Sequence, residues 1–583
     1  MCGITGIFGS QDRSALTAMT DVLRHRGPDD EGRYDAGVVG VGHRRLSIIG
    51  IDNGAQPIRG DRREVYVVAN CEIYNYRQLR DELRRRGHDF RTDSDAEVIV
   101  HLYEEYGDRC VDHLQGMFAF AIVDGGRLLL ARDRFGIKPL HYAEVDGALL
   151  FGSEVKALLQ NSSLTPEIDG EALVDTVVLG HPAGPGTLLR GVVSLPPGHV
   201  LSAVVAEGRL VTALTRYHTL PDVDPEPVPL PEAAAELMDL LRNTVQSHLM
   251  AEVEVGVTLS GGLDSTLLAR LMRDLHDGPI RAYTIGDRPD HPDVVQARRL
   301  ARQFGLDHHV SILSFQDFVA AIPRYLTAAE QPAGLGGIAL NVLCRRIGRD
   351  VKVCLNGEGA DEVFGGYGEY VDRRFRTRRM LDRLAVLETS GRSVSARGRE
   401  FLDSLTADQP FPEYLRTLFA ENMREQLTRD HLELLDASSM AASLEMRVPF
   451  LDHRVVEFAF RQPLAHRVDW ELGITKRLLK HAVLTTWGDE VNLVGSVLRR
   501  KIGAPTSVLG HRERFIRLCE QVLPVDYLRD DEYGAYFDQK SDLLVFNLYR
   551  EIFTRYRGVL PDGFTMLDFM TEQARRPALS LRG

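Results

Sequence analysis

Leu259-Ser260-Gly261-Gly262-Leu263-Asp264-Ser265 lies between an apolar run, Val253–Leu259, and a helical pattern, Ser265–Leu275. A strand that turns on two glycines into a helix constrains both fold and chemistry. The glycines let backbone amides approach an anion, and the hydroxyls and the helix N-terminus add donors. The Gly-Lys-Ser/Thr ending of a Walker loop is missing, so a different phosphate-binding geometry is expected. Around this turn, apolar runs at Ile280–Ile285 and Val351–Leu355 alternate with helical periodicity at Ala233–Met250 and Gln296–Phe304. That alternation predicts an α/β fold with a doubly wound parallel sheet and its chemistry at the strand carboxyl ends.

The first half reads differently. Short apolar runs at Val38–Ile49, Val65–Ala69, Ala119–Val123, Arg127–Ala131 and Ala148–Phe151 are divided by Gly, Asp and Asn. Helical patterns interrupt them near Tyr76–Arg86 and Ala96–Tyr106, which suggests a layered α/β sandwich. A chain of 583 residues needs more than one core. The proline-dense stretch Thr219–Glu232 reads as an extended linker. The expected organisation is a domain at 1–215, a linker at 216–232 and a second domain at 233–583.

A formal net charge of −13 and a pI near 5.8 exclude a general nucleic-acid footprint. The basic stretch Arg373–Arg379 reads as a solvated helix face or loop. No apolar run reaches the length of a membrane span, and no basic-then-apolar leader opens the chain; a cytoplasmic protein is expected. The cysteines Cys2, Cys71, Cys110, Cys344, Cys354 and Cys519 lack CxxC spacing and indicate neither a zinc site nor a disulfide framework.

Cys2 stands apart by position. Removal of Met1 would put a thiol and a free α-amine on one residue, and an amine titrating near pH 8 can activate that thiol. Downstream follow Arg24-His25-Arg26-Gly27-Pro28-Asp29, His43-Arg44-Arg45-Leu46-Ser47-Ile48, Asn70-Cys71-Glu72-Ile73-Tyr74-Asn75, Ser94-Asp95-Ala96-Glu97 and Ala131-Arg132-Asp133-Arg134-Phe135-Gly136-Ile137-Lys138-Pro139-Leu140. In the second half, Leu355-Asn356-Gly357-Glu358-Gly359-Ala360-Asp361-Glu362-Val363-Phe364-Gly365-Gly366-Tyr367 sets three carboxylates in a glycine-rich loop. Such a loop suits magnesium or proton transfer better than a core. Ser438–Ala441, Leu444–Asp452, Thr475–Lys480 and Arg499–Gly503 come later.

In order and spacing these stretches resemble the glutamine-hydrolysing asparagine synthetase family: a class II glutaminase domain joined to a synthetase that splits ATP to AMP and pyrophosphate. The resemblance covers almost the whole chain, with an unmatched interval around Thr377–Phe411. It implies an N-terminal-nucleophile αββα sandwich followed by an ATP-pyrophosphatase domain. Cys2 would form a glutamyl thioester. Asn70 and the N–H of Cys71 would make the oxyanion hole, and Arg45, Ile48, Asn70, Glu72 and Asp95 would bind glutamine. Leu259, Ser260, Gly261, Gly262, Asp264, Ser265, Ile285, Asn356 and Gly357 would bind ATP. Asp264 and Asp361 would hold Mg²⁺, Glu358 would be the base for ammonia, and Lys476 would stabilise phosphate charge, with Lys501 a weaker candidate. An enclosed ammonia passage between the domains and a homodimer are further expectations by family analogy.

The chain departs from the family pattern at three places. Cys71 replaces glycine beside the donor site, which reads either as neutral in an extended backbone or as an altered pocket for a modified glutamine. Asn356 replaces serine but keeps hydrogen-bonding capacity. Glu330-Gln331-Pro332-Ala333-Gly334-Leu335-Gly336-Gly337 offers few polar partners after Gln331. Aspartate is therefore the default acceptor, and a larger or less polar carboxylic acid is the alternative. A β-lactam-type cyclase would not need Cys2, a binding protein of this fold would not need the acidic loop, and a stand-alone glutaminase would leave the second half unexplained.

Overall fold

The computed structural model describes residues 2–10, 13–221, 228–332, 334–499 and 506–575; Lys501 lies outside them. Among the described residues the first half contains twelve strands. They are β1 (Cys2–Phe8), β2 (Asp30–Ala36), β3 (Val39–Arg45), β4 (Ile58–Arg59), β5 (Val65–Ile73), β6 (Gly116–Asp124), β7 (Arg127–Arg132), β8 (His141–Val145), β9 (Ala148–Gly152), β10 (Val193–Ser194), β11 (His199–Ala206) and β12 (Arg209–Arg216). They form two antiparallel sheets, ordered β10-β8-β9-β1-β3-β2 and β12-β11-β7-β6-β5-β4.

Strand alternation places the layers. Ile4 and Phe8 of β1 join Val39, Val41, Val68, Ala119, Leu128 and Leu130 in a core between the sheets. Ile7 points the other way, toward Leu16, Met19 and Val155 of short helices on the outer face. On the opposite side, Val65, Val67 and Ala69 pack against the helices Tyr76–Arg85 and Glu97–Tyr106. The result is the expected αββα sandwich. β1 carries no strand signal in the sequence because Gly3, Thr5 and Gly6 interrupt its apolar run, yet it is a central strand paired with β3 and β9.

The proline-dense stretch is shorter than its composition suggests. β12 reaches Arg216, and a helix begins at Leu230 with Pro231 in its first turn and Glu232 beside it. The first-turn amides have no intrahelical partner, so a proline there removes nothing, and the acidic residue suits the helix N-terminus.

The second half carries β13 (Val255–Thr258), β14 (Arg281–Gly286), β15 (Asp307–Ile312), β16 (Val353–Leu355) and β17 (Glu445–Arg447) in the order β15-β14-β13-β16-β17, all parallel. The chain winds outward from β13 in one direction and from β16 in the other. Their carboxyl ends therefore flank a topological switch point, where doubly wound sheets bind ligands. The unmatched interval is mainly helical, Arg374–Glu388 and Ala396–Thr406, and Arg374, Arg378 and Arg379 of the basic stretch are exposed. Among the described residues no helix is long and apolar enough to cross a membrane.

Candidate active site

Cys2 opens β1 opposite Arg45 of β3, 6% exposed, with its backbone nitrogen donating to Asn70 Oδ1 at 2.9 Å. Burial pushes its thiol up, and Arg45 pulls it partly back. Asn70, on β5, is fully buried, and its Nδ2 has no hydrogen-bond partner among the described residues. A buried donor left without an acceptor costs free energy unless a bound group uses it.

Cys71 follows in the β5–β6 ladder opposite Phe118 and is not a positive-φ residue. The backbone is extended, so a side chain brings no left-handed strain. The thiol sits 3.8 Å from Asp95 Oδ2, and burial followed by the Asp95 charge pushes it well up. Asp95 accepts from the N–H of Ile73 at 2.8 Å and is itself raised by burial.

Arg45 directs its fork at backbone carbonyls, those of Ile49 (3.2 Å), Gly50 (2.5 Å) and Ile51 (3.2 Å). The same loop is gripped from the second half of the chain. Glu252 takes the N–H groups of Gly50 (3.0 Å) and Ile51 (3.2 Å) on its carboxylate, and its own N–H donates to the Ile48 carbonyl at 3.0 Å.

Two buried arginines join the halves; sequence reasoning assigned neither a role. Arg26 donates to the Cys2 carbonyl (3.1 Å) and pairs with Glu154 (2.9 Å) and with Asp436 of the second half (2.7 Å). Arg447, at the end of β17, lies 2.8 Å from Glu72 and 2.6 Å from Glu445, and donates to the carbonyls of His248 and Met250. Burial lifts the Glu72 carboxyl well above its ordinary range. Glu445, equally buried, is held down to about 2 by nearby positive charge that includes Arg447. Replacing Arg447 by Met would strand both carboxylates. Breaking a buried pair from one side costs about 3–5 kcal/mol, so calorimetry of the variant is expected to show a thermal midpoint lowered by several degrees. An unchanged midpoint would remove the network from the account of the interface.

The second cluster sits at the switch point. Leu259 leaves β13, its N–H bonded to the Tyr283 carbonyl at 2.8 Å. The chain then turns at Gly261, φ +75°, where an added Cβ would stand 2.9 Å from Gln296 Cβ. Ser260 and Ser265 brace the turn: Ser265 Oγ accepts from Ser260 N–H at 3.1 Å and lies 3.0 Å from Ser260 Oγ. Gly262 caps the helix Leu263–Leu275, whose first turn carries Asp264. Ile285 lies near the carboxyl end of neighbouring β14, half-buried.

Across the crevice, after β16, Asn356 Oδ1 accepts the N–H of Glu358 at 2.9 Å, so Asn356 stabilises the acidic turn. Lys476 bridges the two motifs. Its Nζ lies 2.6 Å from both Asp264 oxygens and 2.7 Å from Asp361 Oδ1. Gly366 makes this approach possible, since a Cβ there would fall 1.7 Å from Asp361 Oδ1 and 2.4 Å from Lys476 Cε. Gly357 packs in the same way against Asp264.

Glu358 has a partner outside any motif. His431 Nδ1 lies 3.0 Å from its Oε1, and His431 Nε2 is 3.9 Å from the buried Glu362, which also receives the Tyr367 hydroxyl. Burial opposes charge on His431, but the hydrogen bond to Glu358 and the Glu362 and Glu358 charges outweigh it and raise the ring to about 10. The imidazole therefore stays positive through neutral pH beside the carboxylate. His431 lies in a wide helical turn, Asn422–Leu432, with no sequence signature to mark it.

Residues 1–217 match the family model described as a glutamine amidotransferase domain, and residues 236–547 match the one described as asparagine synthase. Asparagine synthetase [glutamine-hydrolyzing] 3 of Bacillus subtilis is 33% identical over 527 residues, covering 82% of this chain and 84% of that protein. Asparagine synthetase [glutamine-hydrolyzing] 1 of the same organism is 29% identical over 568 residues, covering 87% of each. The chain belongs to the glutamine-hydrolysing asparagine synthetase family, whose members are ATP-dependent carbon–nitrogen ligases with glutamine as amido donor.

Proposed function

We propose that the chain amidates a carboxylic acid, aspartate by default, in two linked half-reactions. Cys2, freed of Met1, attacks the side-chain carbonyl of glutamine while its α-amine takes the thiol proton. The C–N bond breaks, ammonia leaves, and water later hydrolyses the thioester to glutamate. Asn70 Nδ2, buried without an acceptor, and the Cys71 N–H stabilise the developing oxyanion.

In the crevice an oxygen of the acceptor carboxylate attacks the α-phosphorus of ATP, and pyrophosphate departs as an acyl-adenylate forms. Lys476 and the Ser260–Ser265 turn oppose the charge on the phosphates. The oxygen donors of Asp264 and Asp361 suit Mg²⁺, which would neutralise the pyrophosphate. Ammonia then attacks the acyl carbon, Glu358 accepts the surplus proton, His431 holds Glu358 in place, and AMP leaves. The observation that carries this reading is the convergence of Lys476 on Asp264 and Asp361 at the switch point, with Glu358 of the same acidic motif paired to His431.

A cavity of about 40 Å³ supports an internal passage for ammonia. It is lined by Arg26, Glu154 and Asp436 on the Cys2 side and by Glu330 and Gln331. A cytoplasmic setting, which supplies ATP and glutamine and keeps six buried cysteines reduced, fits the reading.

One observation favours a larger acceptor. Glu330 turns away from the crevice to accept the N–H groups of Val155 and Lys156 at 2.6 and 2.8 Å. Beyond it Pro332, Gly334, Leu335 and Tyr367 border a cavity of about 520 Å³ lined by Leu173, Val177, Met380 and Phe537 together with charged groups that include Arg379, Arg383 and Asp542. That is ligand-sized.

Product analysis with ATP, Mg²⁺ and glutamine, with and without aspartate, separates the readings. Asparagine with matching pyrophosphate assigns aspartate. Glutamate released without asparagine assigns a different acid. Cys71→Gly is expected to leave donor choice and glutaminase rate within about twofold of the parent, because the native backbone there is already extended. A change of donor preference in that variant would instead support the modified-glutamine reading.

A further inference from the structure

Four side chains from three parts of the glutaminase half converge on one point. Asp61 lies in the turn between β4 and β5, and His88 follows the helix Tyr76–Arg85. His101 and Glu104 sit one turn apart on the helix Glu97–Tyr106. Asp61 Oδ1 is 2.9 Å from His88 Nδ1 and 3.1 Å from His101 Nδ1. Glu104 Oε2 is 3.6 Å and 3.2 Å from the same two nitrogens. Ligands bonded at about 2.0–2.1 Å to a tetrahedral ion stand roughly 3.3–3.4 Å apart, and these four separations bracket that value. Both imidazoles are fully buried and Glu104 is 1% exposed, so the arrangement is no accident of a solvated surface.

An outer ring of groups backs the ligands and is hydrogen-bonded to each of them except His101. His88 Nε2 is 3.0 Å from Glu105 Oε1, and His101 Nε2 is 3.6 Å from Glu97 Oε1. Asp61 Oδ2 accepts from the N–H of Asp89 at 3.0 Å, and Glu104 Oε1 accepts from those of Arg62 and Arg63, both at 3.0 Å. Carboxylates behind metal-bound imidazoles orient them in this way. The hydrogen accounting agrees: a neutral imidazole has a single N–H. If that hydrogen faces outward to Glu105 or Glu97, the inner Nδ1 lone pairs and the two carboxylate oxygens all face one point, which a cation there would satisfy.

We propose that Asp61, His88, His101 and Glu104 form a structural Zn²⁺ site. Two nitrogens and two oxygens, with their four nitrogen–oxygen separations near the tetrahedral value, suit zinc. Magnesium and calcium take six or more oxygen ligands. Four protein ligands leave no open position, which marks the site as structural rather than catalytic, and the two carboxylates balance the ion's charge. The ion ties the β4–β5 turn and the segment after His88 to the helix Glu97–Tyr106, which begins two residues after Asp95 of the Cys2 pocket. Cysteine spacing could not reveal this site; the sequence signal is His101-Leu102-Tyr103-Glu104 with a histidine thirteen residues earlier.

The test is elemental analysis of the full-length protein, as purified and after incubation with Zn²⁺ and desalting, beside His101→Ala and Glu104→Gln. About one zinc per chain is expected in the parent. Each variant is expected to hold less than about a tenth of that, with zinc removal by chelation lowering the parent's thermal midpoint. Cobalt substitution is expected to give the visible absorption of a tetrahedral centre, a readout that needs no variant to fold. Absence of zinc from the parent after incubation, undiminished zinc in a folded Glu104→Gln protein, or stoichiometric uptake of a different ion in preference to zinc would each overturn the assignment.

Discussion

Cys2→Ala is expected to abolish glutamine-dependent product formation, by roughly three orders of magnitude or more, the scale seen when an enzyme loses its covalent nucleophile. Synthesis supported by added ammonia is expected to persist at near-parental rates. The two outcomes belong together because Cys2 and the ATP crevice lie on separate sheets, and alanine at β1 leaves the strand pairing intact. The check is parallel assay of pyrophosphate and amide with each nitrogen source. Loss of the ammonia-supported reaction as well would place Cys2 in a structural rather than a donor role.

Lys476→Met is expected to produce the complementary defect. The ammonium sits within 2.7 Å of Asp264 and Asp361 and is 4% exposed. An apolar side chain there leaves the two carboxylates without their cation, and on the proposed function they would then repel the polyphosphate. Losing one preorganised electrostatic contact typically costs about two to three orders of magnitude, so pyrophosphate release is expected to fall by that much. Glutamate formation at Cys2 is expected to continue. Retention of pyrophosphate release within a few fold would remove Lys476 from the adenylation site.

Much of the second half was legible because its chemistry is local in sequence. Ser260–Ser265 and Asn356–Glu362 are short loops after apolar strands, and the strand–helix alternation fixes where such loops meet. The neighbours that complete the site come from distant parts of the chain. His431 reaches Glu358 from 73 residues away, and Arg26 reaches Asp436 across 410 positions. Single buried polar residues of this kind become visible only once packing brings them together. The same holds for β1, whose glycines hide its apolar face, and for β2, whose exposed polar residues carry no core signal at all. Arg45 stands opposite Cys2 in the β1–β3 ladder, but its fork is directed at the loop carbonyls of residues 49–51 rather than left open. A backbone contact of that kind leaves no mark on composition or spacing.

The most direct measurement is oxygen transfer from the acceptor carboxylate. The enzyme is incubated with carboxyl-¹⁸O aspartate, ATP, Mg²⁺ and glutamine, and AMP and asparagine are analysed by mass spectrometry. The expected result is one labelled oxygen in each AMP formed, in step with asparagine and pyrophosphate. Asparagine accompanied by unlabelled AMP, or by label in inorganic phosphate with ADP, would contradict the acyl-adenylate mechanism.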